Sequence, residues 1–448
     1  MICEAADVSL EVEGSSKLNL RRCIHLTLAL ILAGCTVDFG EPEPDSSDPP
    51  VALPGLGARL SVAPIGPLVP ARAEGQLHLL YELRVVGFDP RTLRIDSVGV
   101  YSGDSVNTLL TTHGTVQLAD MVESFAPGDG LSIESGRESV LFFTIAIPSE
   151  IEVRHLFHRL WLSSESRGAT SSFVLNTEPI TVETGQGPLV DPPLRGGPWR
   201  AHAGPGGQTH HRRTLAPRDG KLTMDQRFAT DWFRLALDPE TDAEILGPDW
   251  VNTAGEPVFA VANGVVVAVV DGLPDEPIGE LGASGLVIDW ETISGNRVVI
   301  DIGDGHYAWY EHLESGSVVT QVGARVTRGQ VIGRVGNSGN TSHPHLHFAV
   351  TDSPIVGQGR GLPYRFRCFE WFSRIAPIPS WDQVAEDDPA DFGLAGTAFV
   401  PGQAELRRSE IPLGGAIVDF SDAVIAGCPA GGGASGSDGS DRAELRGE

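Results

Sequence analysis

Short apolar runs of strand length recur along most of this 448-residue chain, and they restrict the folds that it can adopt. Runs such as LHLLYELRVVGF and SVLFFTIAIP mix apolar and polar residues, and clusters of Gly, Pro, Asp and Ser separate them. Alternation with period two is typical of strands that bury one face, whereas an amphipathic helix has a period of 3.6. The 54 Gly and 32 Pro supply the turns that many short strands require. The sequence therefore predicts an all-β protein.

The N-terminal half of the folded chain, over residues 58–186, is predicted to be a β-sandwich domain. Its apolar runs have the length and spacing of sandwich strands and resemble an immunoglobulin-like module. His78, His113, His155 and His158 are scattered along these runs, so we expect them to be packed or surface histidines. The domain therefore carries no predicted chemistry, and a spacer or docking module is its simplest interpretation.

The rest of the chain divides by composition. A Pro/Gly-rich join at residues 187–200 opens a second β-rich region, predicted as a domain over residues 187–376. A Pro- and acid-rich extension follows over residues 377–428. Residues 429–448 are rich in Gly, Ser and Asp, a composition that is typical of disorder because it cannot bury enough apolar surface.

The first 35 residues resemble the signal peptide of a bacterial lipoprotein. Arg21 and Arg22 precede an apolar run that ends in Leu-Ala-Gly-Cys35, similar to a lipobox. This run is shorter than the roughly 20 residues that span a bilayer, but it suits a secretory signal. The acidic residues before it do not suit a signal peptide, so we expect the true start near Lys17. The resemblance implies lipidation of Cys35.

The residues after the predicted lipidation site indicate a location. Residues 36–57 are rich in Pro and acidic residues and lack periodicity, which predicts an extended tether. By the lipoprotein resemblance, Thr36 at the second position of the mature chain favours the outer membrane over the inner one. The chain is thus predicted to be exported, attached to the outer membrane by a lipid anchor, and to face the periplasm.

The formal charge of the chain is −27, from 32 Lys and Arg against 59 Asp and Glu. Nucleic-acid binding needs a basic surface that neutralises phosphates, so this charge excludes a nucleic-acid partner. The sequence does not indicate an oligomeric state.

Seven of the 13 histidines lie between His210 and His347, and the segment SHPHLHF contains the most informative pair. In a strand, His345 and His347 project to one face while Leu346 and Phe348 project to the other. Two adjacent imidazoles on one face suit a metal ligand beside a catalytic base. The pattern H-x-H by itself is equally compatible with packed histidines.

Several ordered motifs around this pair closely resemble the lysostaphin/LytM-type zinc endopeptidases of peptidoglycan. The resemblance spans residues 199–374 and includes a glycine-turn hairpin over residues 255–272. The other matching motifs are YEHL at residues 310–313, GQVIG at residues 329–333, GNSG at residues 336–339 and PHLHF at residues 344–348. The resemblance implies a β-rich lysostaphin-like domain, the duplicated hybrid motif.

The same resemblance implies a zinc centre. It assigns Asp231 and His347 as Zn²⁺ ligands, and His312 and His345 as the catalytic pair that does not bind the metal. Three protein ligands with a fourth position left open are typical of a catalytic zinc site. One histidine of the pair would accept a proton and the other would stabilise the oxyanion, and the sequence does not say which.

The first metal ligand departs from the family pattern. That pattern is His-x-x-x-Asp, but Arg227 stands four residues before Asp231 and cannot bind zinc. The nearest candidates are His210 and His211, about twenty residues earlier. This chain reads HRR…QRFATDW, and a subset of the family carries a similar HRR…QRFAIDW arrangement. On that likeness we choose His211 and retain His210 as the alternative ligand.

These features predict a zinc metalloendopeptidase that hydrolyses stem-peptide bonds in peptidoglycan cross-links. The alternative is a catalytically silent LytM-like module that binds the cell wall or activates an amidase. A lipoyl or biotinyl carrier is a third interpretation, but the only lysines, Lys17 and Lys221, lie outside such a hairpin. Once Cys3, Cys23 and Cys35 are assigned to the leader and anchor, Cys368 and Cys428 remain as the pair available for a disulfide.

Overall fold

The computed structural model of the chain describes residues 57–103, 108–125, 127–207, 209–240, 244–374, 397–398 and 404–428. The predicted signal peptide with Cys35, the tether up to residue 56 and the predicted tail at residues 429–448 lie outside the described residues. Residues 377–396 and 399–403 of the predicted extension at residues 377–428 also lie outside them.

The N-terminal region consists of two antiparallel sheets, one with the order β1-β3-β8-β6 and one with the order β10-β9-β4-β5. Strand β2 adds to β3 in the first sheet, while β11 adds to β9 and β7 to β4 in the second. The elements are β1 (Leu60–Pro64), β2 (Pro70–Ala73), β3 (Gln76–Gly87), β4 (Leu93–Ser102), β5 (Thr108–Gly114), α1 (Thr115–Met121), β6 (Val122–Ser124), β7 (Ser132–Ile133), β8 (Glu138–Pro148), β9 (His155–Ser166), β10 (Ala169–Asn176) and β11 (Ile180–Thr181).

One apolar core joins these two sheets into a sandwich. Leu83 and Val85 of β3 lie in the same buried cluster as Val98 and Val100 of β4, so alternate residues of both sheets face each other. His158 is buried in this core, where its Nε2 lies 2.7 Å from the Tyr81 hydroxyl. The immunoglobulin-like topology of this region stays a prediction.

The C-terminal region is built around a second, larger sheet. Its elements are β12 (Leu189–Val190), β13 (Gly196–His202), α2 (His210–Arg213), β14 (Ala216–Arg218), β15 (Lys221–Thr223), β16 (Thr230–Leu237), β17 (Glu244–Pro248), α3 (Trp250–Thr253), β18 (Pro257–Phe259), β19 (Gly264–Val270), β20 (Asn296–Gly303), β21 (His306–Leu313), β22 (Arg325–Val326), β23 (Val331–Arg334), β24 (Leu346–Thr351), β25 (Arg365–Arg374), β26 (Thr397–Ala398), β27 (Glu405–Glu410), β28 (Ala416–Phe420) and α4 (Asp422–Ala426).

The 13-stranded sheet has the central order β12-β25-β28-β13-β16-β24-β21-β20-β19-β22. Strand β16 therefore lies between β13 and β24, and β24 lies between β16 and β21. Strands β27 and β28 come from the predicted C-terminal extension, and β28 pairs with both β13 and β25. The last strands of the extension are thus part of the sheet that carries the histidines.

Strand β24 shows the alternation that its sequence predicts. Leu346, Phe348 and Val350 belong to the main apolar core of this region. His345 and His347 face the opposite side and line a cavity. Strand β24 and the residue directly before it therefore supply both a core face and two of the predicted site residues.

The prediction of an all-β protein is confirmed. The longest helix among the described residues is α1, with 7 residues, whereas β3 and β9 have 12 residues each. No helix in this part of the chain has the length and apolar character needed to cross a membrane.

Cys368 of β25 and Cys428, two residues after the end of α4, form a disulfide across a sequence separation of 60 residues. Closing a loop of this length lowers the entropy of the unfolded chain, which is worth about 4 kcal/mol. We expect the Cys368→Ala/Cys428→Ala variant to unfold with a free energy lower by about that amount. The measurement is the urea midpoint with and without reductant.

Reductant should lower the midpoint of the wild type and leave that of the double variant unchanged. Equal midpoints for the oxidised wild type and the double variant would contradict the prediction.

Candidate metal centre

Four neighbouring strands place a row of polar side chains side by side. In the sheet register, His202 of β13 lies opposite Asp231 of β16, which lies opposite His347 of β24. His347 in turn lies opposite Glu311 of β21. Directly opposed residues of antiparallel strands project to the same face, so this row forms one lateral line across the sheet.

Asp231 is the centre of this arrangement. Its Oδ1 lies 2.9 Å from His347 Nδ1 and 3.4 Å from His345 Nε2. Its Oδ2 lies 3.3 Å from His211 Nε2 and 3.7 Å from His210 Nε2. A single buried carboxylate thus has four imidazole nitrogens around it. The fold brings together residues that are separated by more than a hundred positions in the chain.

His210 and His211 reach Asp231 from the short helix α2, but their environments differ. The His211 side chain is 3% exposed and that of His210 is 35% exposed. His211 Nδ1 lies 2.9 Å from the carbonyl oxygen of Ala203. Because a carbonyl only accepts hydrogen bonds, Nδ1 carries the proton, and the neutral ring then directs a free Nε2 lone pair at the site.

His312 and His345 are held in the same way. His312 Nδ1 donates to the carbonyl oxygen of Ser338 at 2.8 Å, and His345 Nδ1 donates to that of His343 at 2.8 Å. Thr341 Oγ1 also lies 3.3 Å from His345 Nδ1. The two rings are adjacent, with centroids 4.9 Å apart. Both histidines therefore turn Nε2 away from the carbonyl that fixes their orientation.

His312 has an unusual backbone conformation. Its φ is 58°, in the left-handed region that residues other than glycine rarely adopt. The conformation is maintained by hydrogen bonds from His312 N to Ser294 O and from Gly336 N to His312 O, both at 3.1 Å. Such conformations are concentrated at functional sites, where the surrounding structure compensates for the strain.

Burial and charge shift the pKa values of the groups around Asp231. Burial by itself would raise the pKa of Asp231, but the surrounding imidazoles, His211 and His345 foremost, hold it well below its usual range. Burial would lower the pKa of His347, but the Glu311 and Asp231 carboxylates raise it to about 9. His347 is therefore held by the carboxylates on both sides of it in the row.

The pKa values of His211 and His312 are lowered, in contrast to that of His347. Burial and the nearby rings of His345 and His347 lower the pKa of His312 to about 3. Burial lowers the pKa of His211 well below its usual value, even though Asp231 opposes the shift. Both rings are thus neutral near pH 7, which is the form that can bind a metal or accept a proton.

These side chains line a cavity of about 400 Å³. Its polar lining includes His211, Asp231, Glu311, His312, His345 and His347. Its apolar lining includes Leu281, Trp290, Ile293, Trp309 and Ile355. A concave, mainly apolar pocket with a few convergent polar groups is the usual form of a substrate site.

The donor set fits a zinc ion. Ligand atoms of His210, His211 and Asp231 all lie within 4.8 Å of one another. His347 completes the set, with its Nδ1 2.9 Å from Asp231 Oδ1 and its ring centroid 4.7 Å from that of His211. Imidazole nitrogens with one carboxylate are donors that zinc prefers, and His211 is anchored by the Ala203 carbonyl oxygen as ligand histidines usually are.

Comparison with known proteins assigns the domain. Residues 244–356 match the model of peptidase family M23. The chain contains an M23 peptidase domain. The matched segment includes His312, His345 and His347, whereas His210, His211 and Asp231 precede it. The fold, rather than the match, therefore brings these last three residues to the M23 histidines.

Two curated relatives of this M23 domain are named as endopeptidases. The chain is 31% identical to the peptidoglycan DD-endopeptidase ShyA of Vibrio cholerae over 149 residues, 33% of this chain and 29% of that protein. It is 35% identical to the glycyl-glycine endopeptidase ALE-1 of Staphylococcus capitis over 104 residues, 23% of each chain. The matched part is thus less than a third of the length of either relative.

Among solved structures, the catalytic domain of lysostaphin from Staphylococcus simulans is similar at 21% identity and a TM-score of 0.21. That similarity covers 36% of this chain and 86% of the lysostaphin domain. A zinc-containing peptidase from Vibrio cholerae is similar at 15% identity and a TM-score of 0.19, covering 67% of this chain and 83% of the other.

The structure adds residues that the sequence pattern did not single out. His202 is buried opposite Asp231, and Glu311 lies opposite His347 and lines the cavity. Their role depends on strand register, which the sequence does not display, although Glu311 directly precedes His312. His343 lines the cavity with its ring 4.7 Å from that of Trp250. His306 lies at the start of β21, outside the cavity lining.

Proposed function

We propose that the chain is a zinc-dependent metalloendopeptidase that hydrolyses peptide bonds in peptidoglycan cross-links. The observation that carries the proposal is the convergence of buried imidazoles on Asp231 beside the cavity of an M23 domain. The names of the relatives, a peptidoglycan DD-endopeptidase and a glycyl-glycine endopeptidase, supply the substrate class.

We assign His211, Asp231 and His347 as the zinc ligands. His211 is favoured over His210 because it is buried, lies closer to Asp231 and has its Nδ1 proton fixed by Ala203. Bound zinc would polarise the scissile carbonyl and lower the pKa of a water molecule toward ~7. Three protein ligands leave a coordination position for that chemistry.

We assign His312 as the proton acceptor and His345 as the group that stabilises the oxyanion. His312 is neutral, and its Nε2 is free to take the proton of the attacking water and pass it to the leaving amine as the C–N bond breaks. His345 lines the cavity, and its Nε2 lies 3.4 Å from Asp231 Oδ1. A hydrogen bond donated from the His345 ring would stabilise the carbonyl oxygen as it becomes negative.

The proposed site of action follows from the leader sequence. Peptidoglycan stem peptides are the proposed substrate, and the proposed location is the periplasmic face of the outer membrane, through a lipid on Cys35. This location would bring the M23 domain close to peptidoglycan.

The experiment measures metal and cleavage together. Purified protein should contain about one zinc per chain, as a three-ligand site requires. It should release cross-linked stem peptides from purified peptidoglycan, a chelator should stop the release, and added zinc should restore it. Walls with direct cross-links and walls with glycine bridges, assayed in parallel, identify the bond that is cut. Cleavage that persists in fully metal-free protein, or absence of cleavage in zinc-loaded protein, would contradict the proposal.

The alternative function, a silent module that binds the wall or activates an amidase, rested on Arg227 in place of the family histidine. Arg227 forms a buried ion pair with Glu82, so the fold gives this arginine a structural role. The histidine pair and Asp231 are all present at the cavity. Nothing in the described part of the chain favours the silent module over the enzyme.

A further inference from the structure

We propose that Glu82, a residue of the N-terminal sandwich, is a positioning residue for the metal centre. It acts through ion pairs with Arg212 and Arg227, which belong to the two segments that carry His211 and Asp231. The inference rests on the proposed function, because it concerns the zinc ligands assigned there. It gives the sandwich a role in the peptidase site that its sequence does not indicate.

Glu82 lies on β3 and is completely buried, with 0% of its surface exposed. Its Oε1 accepts a hydrogen bond from Arg212 Nη1, and its Oε2 accepts one from Arg227 Nη2. Arg227 Nε also lies 3.3 Å from Oε1. Arg212 is 1% exposed and Arg227 is 3% exposed. One carboxylate of the sandwich therefore joins two buried guanidinium groups of the peptidase region.

Backbone groups of the sandwich complete the arrangement. Arg212 Nη2 donates to the carbonyl oxygen of Phe143 at 3.2 Å, and Arg227 Nη2 donates to that of Ile65 at 2.8 Å. An apolar cluster surrounds this contact, with Ile65, Val140 and Phe142 from the sandwich side and Leu215, Leu222 and Met224 from the peptidase side. The charged groups are therefore buried beside apolar side chains, where each depends on the others for its counterion.

The charge of Glu82 is essential to this arrangement. Burial would raise the pKa of Glu82, but the two guanidinium groups outweigh it and lower the pKa, so Glu82 is ionised. If Glu82 lost its charge, two arginines would remain buried near each other without a counterion. Removing one partner of a buried ion pair is costly because it leaves the other charge buried and uncompensated. The segments that carry Arg212 and Arg227 would therefore move apart.

The two arginines lie close to the ligands in sequence. Arg212 directly follows His211 in α2, a helix of 4 residues that is too short to be stable by itself. Arg227 lies in the turn that leads into β16, four residues before Asp231. The same carboxylate thus fixes the segments on both sides of the His211–Asp231 contact of 3.3 Å.

A matched pair of variants tests the inference in the full chain. Glu82→Gln keeps the shape of the side chain and removes its charge, and Glu138→Gln removes an exposed sandwich ion pair with Arg84. The apo-protein is titrated with zinc against a competing chelator. We expect Glu82→Gln to weaken zinc binding about 10- to 100-fold, as loss of a supporting group does, and Glu138→Gln to leave it unchanged. Glu82→Asp, which restores the charge, should recover most of the affinity.

Arg227→Gln keeps the Glu82–Arg212 pair and serves if Glu82→Gln does not fold. Glu82→Gln, Arg227→Gln and the double variant form a double-mutant cycle. The two substitutions should not be additive, because both residues belong to one ion-pair network. The double variant should then bind zinc little more weakly than Glu82→Gln.

Unchanged zinc affinity in every folded variant, or independent, multiplying losses in the double variant, would overturn the inference. A wild type that binds no zinc would instead contradict the proposed function.

Discussion

The Asp231→Ala variant is expected to lose zinc binding and, with it, all cleavage of peptidoglycan cross-links. Asp231 is the carboxylate on which His210, His211, His345 and His347 converge, at 2.9–3.7 Å. Without it, several imidazoles share a buried space with no anion to balance a divalent metal. Loss of an outer-shell partner weakens metal binding 10–100-fold, so loss of this ligand should weaken it more than ~100-fold.

His347→Ala should have the same effect, because it removes another of the three proposed ligands. The measurement is the zinc content after gel filtration, together with the release of cross-linked stem peptides. Asp238→Ala is the matched control, since Asp238 directly follows β16 and is absent from the cavity lining. A variant without zinc that still digests the wall would contradict the assignment of the metal to catalysis. A variant that keeps its zinc would show that other side chains hold the metal.

The class of fold follows from local sequence patterns, but the strand partners do not. The alternation in PHLHF correctly places Leu346 and Phe348 in the core and the two histidines on the opposite face. The glycine-turn hairpin expected over residues 255–272 is wrong in its pairing. Strand β18 pairs with β23, while β19 pairs with β20 and β22. Pairing depends on long-range packing, which a local pattern does not encode.

In the candidate site, too, local motifs are visible in the sequence but long-range contacts are not. The motifs around His312, His345 and His347 are contiguous enough to be recognised in the sequence. The approach of His211 to Asp231 depends on the ion pair between Arg212 and Glu82, which lies 130 residues earlier in the chain. Likewise, His202 and Glu311 enter the row only through the register of four strands. Residue types are thus visible in the sequence, while the partners that orient them appear only in the fold.

The integration of the C-terminal strands could not be predicted for a similar reason. Residues 377–428 read as an acidic extension, but β28 lies between β25 and β13 in the main sheet. Strand β13 carries His202 and pairs with β16, which carries Asp231. The end of the described chain therefore supports the strands that position the site, although it contributes none of the proposed ligands.

His312→Ala and His345→Ala are expected to keep their zinc and to lose activity. Neither histidine belongs to the proposed ligand set, and the Nδ1 proton of each is committed to a carbonyl oxygen. General acid–base catalysis by a positioned side chain contributes typically 10²–10⁴-fold, so kcat should fall by about that factor in His312→Ala. Loss of a group that stabilises an oxyanion costs about 10²–10³-fold, which is the expected effect of His345→Ala.

The measurement compares kcat and zinc content for the wild type, both variants and His306→Ala. His306 begins the same strand that carries His312, but it does not line the cavity, so its replacement should leave both quantities unchanged. Loss of zinc in His345→Ala would make His345 a ligand, which its distance of 3.4 Å from Asp231 allows geometrically. Full activity in His312→Ala would contradict its role as proton acceptor. Zinc content thus distinguishes the ligand histidines, His211 and His347, from the catalytic histidines, His312 and His345, since only the loss of a ligand should remove the zinc.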